Sequence, residues 1–112
     1  MKEVKVIFHV DEMTKWGLVL KNVSNLLQVV DPGKSNIVVL ANSEAVKLYN
    51  INSEDKEMEK LNSQGVKFLA CNNALNIFEM KKENLLNFVG IVPVGVLEII
   101  NKEGEGYAYI KS

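Results

Sequence analysis

The sequence predicts an α/β domain in which a mostly parallel sheet is covered by helices on both faces. Five short β-rich segments alternate with helical segments, in the order β-α-β-α-α-β-α-β-α-β. Such alternation is typical of parallel strands joined by helical crossovers. With 112 residues, of which 47% are hydrophobic, the chain is expected to form a single domain over residues 1–112 with a small buried core.

The first strand and the first helix are predicted from apolar patterning. Residues 4–10 are apolar and β-rich, as in a buried strand. Apolar residues then recur at helical spacing and predict one long amphipathic helix: Met13, Trp16, Leu20, Val23, Leu27 and Val30. The Asp-Pro-Gly segment at 31–33 ends this helix.

A second strand and two further helices follow. Residues 37–41 are a continuous apolar run, which predicts a strand that is covered on both faces. Asn42 and Ser43 are suited to cap a short helix, and Ser53 is suited to cap the next one, because these side chains accept hydrogen bonds from free backbone N–H groups. Gly65 ends that helix.

The remaining elements are two short helical pieces, two strands and one ambiguous segment. The third strand is predicted at 66–70, the fourth at 88–92 and the last at 107–110. Short helical pieces lie between the third and fourth strands. The periodicity of residues 94–102 fits more than one structure, but we interpret the segment as a helix because Pro93 suits a helix start.

Composition excludes several classes of partner. The net charge is −1, and all thirteen basic residues are lysines, which argues against nucleic-acid recognition because arginine supplies its bidentate contacts. A single cysteine cannot form an internal disulfide. No apolar run reaches membrane-spanning length, and the amino terminus enters a strand without a signal-peptide core. We therefore expect a cytoplasmic, soluble protein with no nucleic-acid or membrane partner.

Several enzyme motifs are missing from the sequence. It has no P-loop, no glycine-rich dinucleotide turn and no G-x-S-x-G. One histidine and one cysteine do not suffice for an ordinary zinc cluster, so no metal or cofactor is predicted. Without C-x-x-C, a dithiol cycle cannot run inside one subunit. A single-thiol cycle, in which a persulfide or mixed disulfide is resolved by another molecule, fits the sequence.

Polar residues follow the predicted strands at their carboxyl ends. In a parallel sheet these ends meet at one edge, where open α/β folds bind ligands. The residues at this edge are His9, Asn42, Cys71, Asn72, Asn73 and Pro93. Cys71 is the candidate nucleophile, because it lies between a strand and a helix start that favours the thiolate.

The other edge residues have two possible roles each. Asn72 and Asn73 are candidates to cap a helix or to donate hydrogen bonds to an anionic sulfur. His9 is a candidate base or charge partner for Cys71 if the first and third strands are neighbours, as in the common doubly wound orders. The alternatives are a buried thiol that only packs, a structural histidine, and asparagines, Asn42 among them, that only cap helices.

A set of short strings resembles a known family. The strings are V-I-F-H at 6–9, I-V-V-L-A-N at 37–42, G-V-K-F-L-A-C-N-N at 65–73, V-P-V-G-V-L-E-I at 92–99 and E-G-Y-A-Y-I at 105–110. Together they resemble the DsrE/DsrF-like family of sulfur-relay proteins, in its small single-domain branch. The resemblance implies a three-layer α/β/α sandwich with a mostly parallel five-stranded sheet. It also implies a homo-oligomer, typically a trimer or hexamer.

The resemblance further implies a function for Cys71, which occupies the third-strand-end position. In the sulfur-relay members, a cysteine accepts sulfur as a persulfide and passes it to another protein. The first hypothesis is therefore a sulfur carrier that uses Cys71, with His9 assisting proton movement and a sulfur donor or acceptor protein as partner. The alternative is a non-catalytic oligomeric module that binds a small ligand or partner at His9, Asn42, Asn72 and Asn73. Trp16, Tyr107 and Tyr109 either cover the sheet or serve a subunit interface.

Overall fold

The computed structural model describes residues 2–112 and contains a parallel five-stranded sheet. The strands are β1 Lys5–Val10, β2 Asn36–Ala41, β3 Lys67–Cys71, β4 Gly90–Val92 and β5 Ala108–Lys111. Their spatial order is β4-β3-β2-β1-β5, and every neighbouring pair is parallel. The predicted fold class is confirmed.

Four α-helices of the described chain connect and cover the strands. They are α1 Trp16–Leu27, α2 Lys56–Ser63, α3 Asn72–Ile77 and α4 Gly95–Gly104. Short 3-10 segments lie at Met13–Lys15, Ser43–Tyr49, Ile51–Ser53 and Lys82–Asn84. Because no helix of residues 2–112 combines enough length with enough apolar character, none could cross a membrane.

Alternate residues of β1 divide the core into two parts. Phe8 faces the larger part, together with Val23 of α1 and Leu61 of α2. Ile7 faces the smaller part, together with Ile99 of α4. Successive side chains of a strand point to opposite faces, so the sheet lies between α1 and α2 on one side and α4 on the other. The result is the three-layer α/β/α sandwich.

Trp16 belongs to the larger core. Its side chain is buried, and its Nε1–H donates to the carbonyl oxygen of Ala45 at 2.9 Å. Its ring meets that of Tyr49 edge to face, with centroids 5.3 Å apart. Trp16 therefore joins α1 to the segment that follows β2, and it is not exposed for a subunit interface.

Some helix boundaries differ from the predictions. The long first helix is shorter than its apolar pattern, because a 3-10 turn precedes Trp16 and the α-helical part ends at Leu27. The cap of α2 is Asp55, whose carboxylate accepts from the Met58 N–H at 2.8 Å. Ser53, the predicted cap, has a buried hydroxyl that pairs with no described residue. Glu54 lies between them with a φ of 47°, and this left-handed residue turns the chain so that Asp55 reaches the helix start.

The helix α4 matches the prediction and presents an apolar outer side. Its start at Gly95 follows the Pro93 segment as expected. The side chains of Val96, Leu97 and Ile100 are 58%, 51% and 59% exposed. We call these three residues the α4 outer surface.

Candidate functional site

Cys71 ends β3 at the carboxyl edge of the sheet and is nearly buried. It pairs with Val92 of β4, and its side chain is 7% exposed. Cys71 packs with the larger core. Its Sγ nevertheless reaches the start of α4, where it lies beside Gly95.

The sulfur is bound by the first residue of α4. The N–H of Gly95 donates to Cys71 Sγ at a distance of 3.4 Å. This N–H belongs to the first turn, whose donors have no partner within the helix and form its positive end. Cys71 lies at the start of α3, as predicted, and its hydrogen-bond donor comes from a second helix start, 24 positions later in the chain.

Gly95 allows α4 to approach the thiol closely. A Cβ at this position would lie 3.3 Å from Cys71 Cβ, and 3.6 Å from both Cys71 Sγ and Asn42 Cβ. The absence of a side chain therefore brings the helix start, the thiol and Asn42 together around one point.

Asn72 and Asn73 lie beside the sulfur in sequence but do not bind it. They are the first two residues of α3, and both side chains are exposed. The cap position of α3 is Cys71 itself, with no side-chain capping bond. The predicted sulfur donors are therefore not used by the thiol in this structure, and Gly95 donates instead.

His9 is buried and hydrogen-bonded through both ring nitrogens. Its Nε2 lies 2.9 Å from Asn42 Oδ1, and its Nδ1 lies 2.8 Å from the hydroxyl of Tyr109. An amide oxygen only accepts, so Nε2 carries the hydrogen and donates it to Asn42. In the neutral ring, Nδ1 then accepts from the Tyr109 hydroxyl. This assignment of the tautomer follows from the hydrogen-bond partners.

The strand order separates His9 from Cys71. The interpretation of His9 as a direct partner of Cys71 required the first and third strands to be neighbours, and this condition is not met because β2 lies between β1 and β3. His9 makes no hydrogen bond with the thiol. It binds instead to Asn42, which follows β2 and also contacts the space beside Gly95.

Asn42 and Tyr109 have roles that sequence reasoning did not assign. Asn42 occupies the cap position of the Ser43–Tyr49 segment, but its side chain makes no capping bond because its oxygen accepts from His9. Tyr109 lies on β5 opposite Ile7 of β1. Tyr109 reaches His9 because β5 pairs with β1. That pairing depends on the strand order, and the sequence alone does not give the strand order.

An ion pair joins the ends of β1 and β5 next to this site. Lys111 Nζ donates to the Asp11 carboxylate at 2.8 Å. This hydrogen bond and the lysine charge hold the pKa of Asp11 below its ordinary value of 3.8, against a smaller opposing effect of burial. The pair fastens β5 to β1 close to His9.

Four clefts of the surface have volumes of about 380 to 550 Å³, and Cys71, His9 and Asn42 line none of these four. Within residues 2–112, no three His, Cys, Asp or Glu side chains are grouped to hold a metal ion. The arrangement places a backbone donor beside a nearly buried sulfur, so it can stabilise a small anionic group there.

Comparisons with known proteins agree with this fold. The model of the DsrE/DsrF-like family matches residues 3–112. The chain is similar to the solved structure of a protein of unknown function from Methanobacterium thermoautotrophicum. The TM-score is 0.90 and the identity 34%, over 98% of this chain and 100% of that chain. A conserved protein of unknown function from Bacteroides thetaiotaomicron has a TM-score of 0.73 and 14% identity, over 96% of this chain and 94% of that chain, which shows the fold alone. No curated protein matches the chain.

Proposed function

The chain belongs to the DsrE/DsrF-like family, and from this premise we propose that it carries sulfane sulfur as a persulfide on Cys71. The observation that carries the proposal is the hydrogen bond from the Gly95 N–H to Cys71 Sγ at the start of α4. A helix start stabilises negative charge on the thiolate and on the persulfide that forms from it.

The proposed transfer is balanced without an external oxidant. The Cys71 thiolate attacks the outer sulfur of a donor persulfide, a new S–S bond forms, and the donor leaves as a thiolate. In the second half, an acceptor thiolate attacks the outer sulfur on Cys71, and the Cys71 thiolate leaves. Each half exchanges one S–S bond for another. The partners are therefore a sulfur donor and a sulfur acceptor, each with a thiol or persulfide group.

The burial of the thiol restricts the donor. Only 7% of Cys71 is exposed, so the reacting group must be slender at its tip. A polysulfide or a persulfide at the end of a flexible segment satisfies this condition. The single-cysteine chain also needs no resolving thiol of its own, because the acceptor supplies it.

Because the chain has a single cysteine, any sulfur added to a thiol is added to Cys71. The native protein is incubated with polysulfide, and its intact mass is measured before and after reduction. The expected result is an adduct of about 32 Da, one sulfur atom, that reductant removes. Cys71→Ser is the matched control and should gain nothing.

Alkylation separates the carrier from its alternative. Iodoacetamide is added to the native protein over a range of pH, and labelling is followed by intact mass. A thiol that is labelled only after unfolding, with no sulfur adduct, would contradict the carrier. It would leave the second hypothesis, a non-catalytic module that binds a ligand or partner at the edge formed by His9, Asn42, Asn72 and Asn73.

The proposal includes a homo-oligomer, a trimer or a hexamer, with the α4 outer surface as a contact. Its three apolar side chains are each more than half exposed, and contiguous apolar surface of this kind favours association. Light scattering after size exclusion measures the mass. Leu97→Lys should lower it, whereas the exposed Leu18 of α1, changed in the same way, should not. A monomer at micromolar concentration would contradict this part of the proposal.

A further inference from the structure

We propose that Tyr109 and His9 are positioning residues that orient the amide of Asn42, so that its Nδ2 group and the Gly95 N–H together form a two-donor site for the sulfur of a Cys71 persulfide. This inference rests on the proposed function, since it assigns the residues that would hold the transferred sulfur. It gives His9 an indirect role, in place of the direct proton transfer that the sequence suggested.

The first step is the hydrogen bond that Tyr109 makes to the acceptor nitrogen of His9. A neutral imidazole has one donor nitrogen and one acceptor nitrogen. Because Asn42 Oδ1 only accepts, the ring hydrogen is on Nε2, and Nδ1 then accepts from the Tyr109 hydroxyl at 2.8 Å. His9 is fixed between two partners and 9% exposed, so the ring has little freedom to turn.

The second step is the orientation of the Asn42 amide by His9. The Nε2–H donates to Asn42 Oδ1 at 2.9 Å, which turns the amide oxygen toward β1. The NH₂ group is then directed away from His9. It donates to no acceptor among the described residues, and it is not sealed from solvent. Asn42 therefore presents a free, oriented donor.

The third step is that Asn42 and the thiol flank the same point beside Gly95. Asn42 Cβ and Cys71 Sγ both lie 3.6 Å from the point where a Gly95 side chain would begin. The resting thiol uses only the Gly95 N–H. A persulfide places a second sulfur about 2 Å beyond Sγ, and this outer atom is the better anion. Asn42 Nδ2 can donate a hydrogen bond to this outer sulfur, which the resting thiol lacks.

The strand order explains why four side chains form a line. The order β3-β2-β1-β5 places Cys71, Asn42, His9 and Tyr109 on four successive strands or strand ends. His9 and Tyr109 share a face, because Tyr109 pairs with Ile7, two positions before His9 on β1. The hydrogen bonds therefore run across the sheet toward the sulfur.

The experiment combines a spectroscopic readout with sulfur uptake. The chain has one histidine, so a long-range ¹H–¹⁵N spectrum reports the tautomer of His9 without assignment. The expected result is the Nε2–H form in the native protein and a mixture of forms in Tyr109→Phe. Tyr107→Phe is the matched control on the same segment and should leave the spectrum unchanged, because the Tyr107 ring contacts lysines and not His9.

Sulfur uptake is measured by intact mass after a limited exposure to polysulfide. Iodoacetamide labelling of each variant, without polysulfide, measures how accessible and reactive its resting thiol is. Asn42→Asp keeps an acceptor for His9 but removes the NH₂ donor, and it should reduce the persulfide yield about tenfold or more, as for a lost donor to an anion. Asn42→Ala should reduce it by a similar factor. Tyr109→Phe should reduce it about threefold, because the oriented fraction of the amide falls while the donor remains.

The outcomes separate this inference from the proposed function. Sulfur uptake at the native rate in both Asn42 variants would overturn the inference and leave the persulfide carrier intact. An Nδ1–H tautomer in the native protein would also overturn it, because the amide would then present its oxygen to the sulfur. No uptake by the native protein would overturn both.

Discussion

Gly95→Ala tests the contact on which the candidate site depends. The substitution adds one methyl group at the start of α4, at a point 3.3 Å from Cys71 Cβ and 3.6 Å from Cys71 Sγ. The first of these distances is shorter than an ordinary carbon–carbon contact, so either α4 or the end of β3 must shift by a few tenths of an ångström. The Gly95 N–H moves with the helix, and its bond to the sulfur is weakened.

Two opposing effects set the expected change in stability. Alanine is favoured over glycine in a helix by about 0.5–1 kcal/mol. Overpacking of a close contact costs about 1–3 kcal/mol. The expected balance is a loss of about 1 kcal/mol in the free energy of unfolding, or roughly 4 °C in Tm for a domain of this size.

The assay is thermal unfolding together with alkylation of Cys71. Gly104→Ala is the control, because it lies in the same helix and a Cβ there meets nothing within 4 Å. Gly104→Ala should hold or raise Tm and leave the alkylation rate unchanged. Gly95→Ala should lower Tm and change the alkylation rate. If both variants raise Tm equally and label at the native rate, the reasoning that Gly95 packs on the thiol is refuted.

Three further predictions concern contacts away from the thiol. Asp55→Ala should lower the free energy of unfolding by about 1 kcal/mol through loss of the α2 cap. Ser53→Ala should not lower it, because that hydroxyl has no partner within residues 2–112. Equal losses of stability in urea unfolding would contradict the assignment of Asp55 as the cap. Tyr49→Phe should cost about 1 kcal/mol, because its buried hydroxyl donates to a β3 carbonyl at 3.0 Å; an unchanged urea midpoint would argue against that bond. The pKa of Asp11 is lowered by its hydrogen bond to Lys111, so the pair adds stability above pH 3.8 that is lost as the pH falls through the folded value. Both side chains are more than a third exposed, so the pair should contribute no more than about 0.5 kcal/mol to stability. In thermal melts below pH 5, Asp11→Asn should therefore lose less stability with falling pH than the native protein does. The same decrease of Tm with pH in both proteins would contradict this prediction.

The fold was predictable because its signals are local. Each strand has its own apolar run and each turn its own breaking residues, so the alternation of elements appears directly in the sequence. The placement of Cys71 at the end of the third strand was predictable for the same reason. The segment at 94–102, ambiguous by periodicity alone, was resolved correctly by Pro93 at its start.

The partners within the site were not predictable, because they depend on how elements are arranged. The donor to Cys71 comes from Gly95, and its position depends on where α4 crosses the sheet. The partner of His9 depends on strand order, and no local pattern places β2 between β1 and β3. The choice between Ser53 and Asp55 as helix cap depends on the left-handed conformation of Glu54.

The contacts between β1 and β5 join residues a hundred positions apart. His9 with Tyr109 and Asp11 with Lys111 each close a loop of almost the whole chain. Closing so long a loop is slow relative to the local crossovers that bring β1, β2 and β3 together. A folding intermediate with those three strands in place would already hold Cys71 at its sheet edge while His9 still turned freely. We expect the histidine to be fixed only when β5 docks, so its ordering should follow the pairing of β1, β2 and β3.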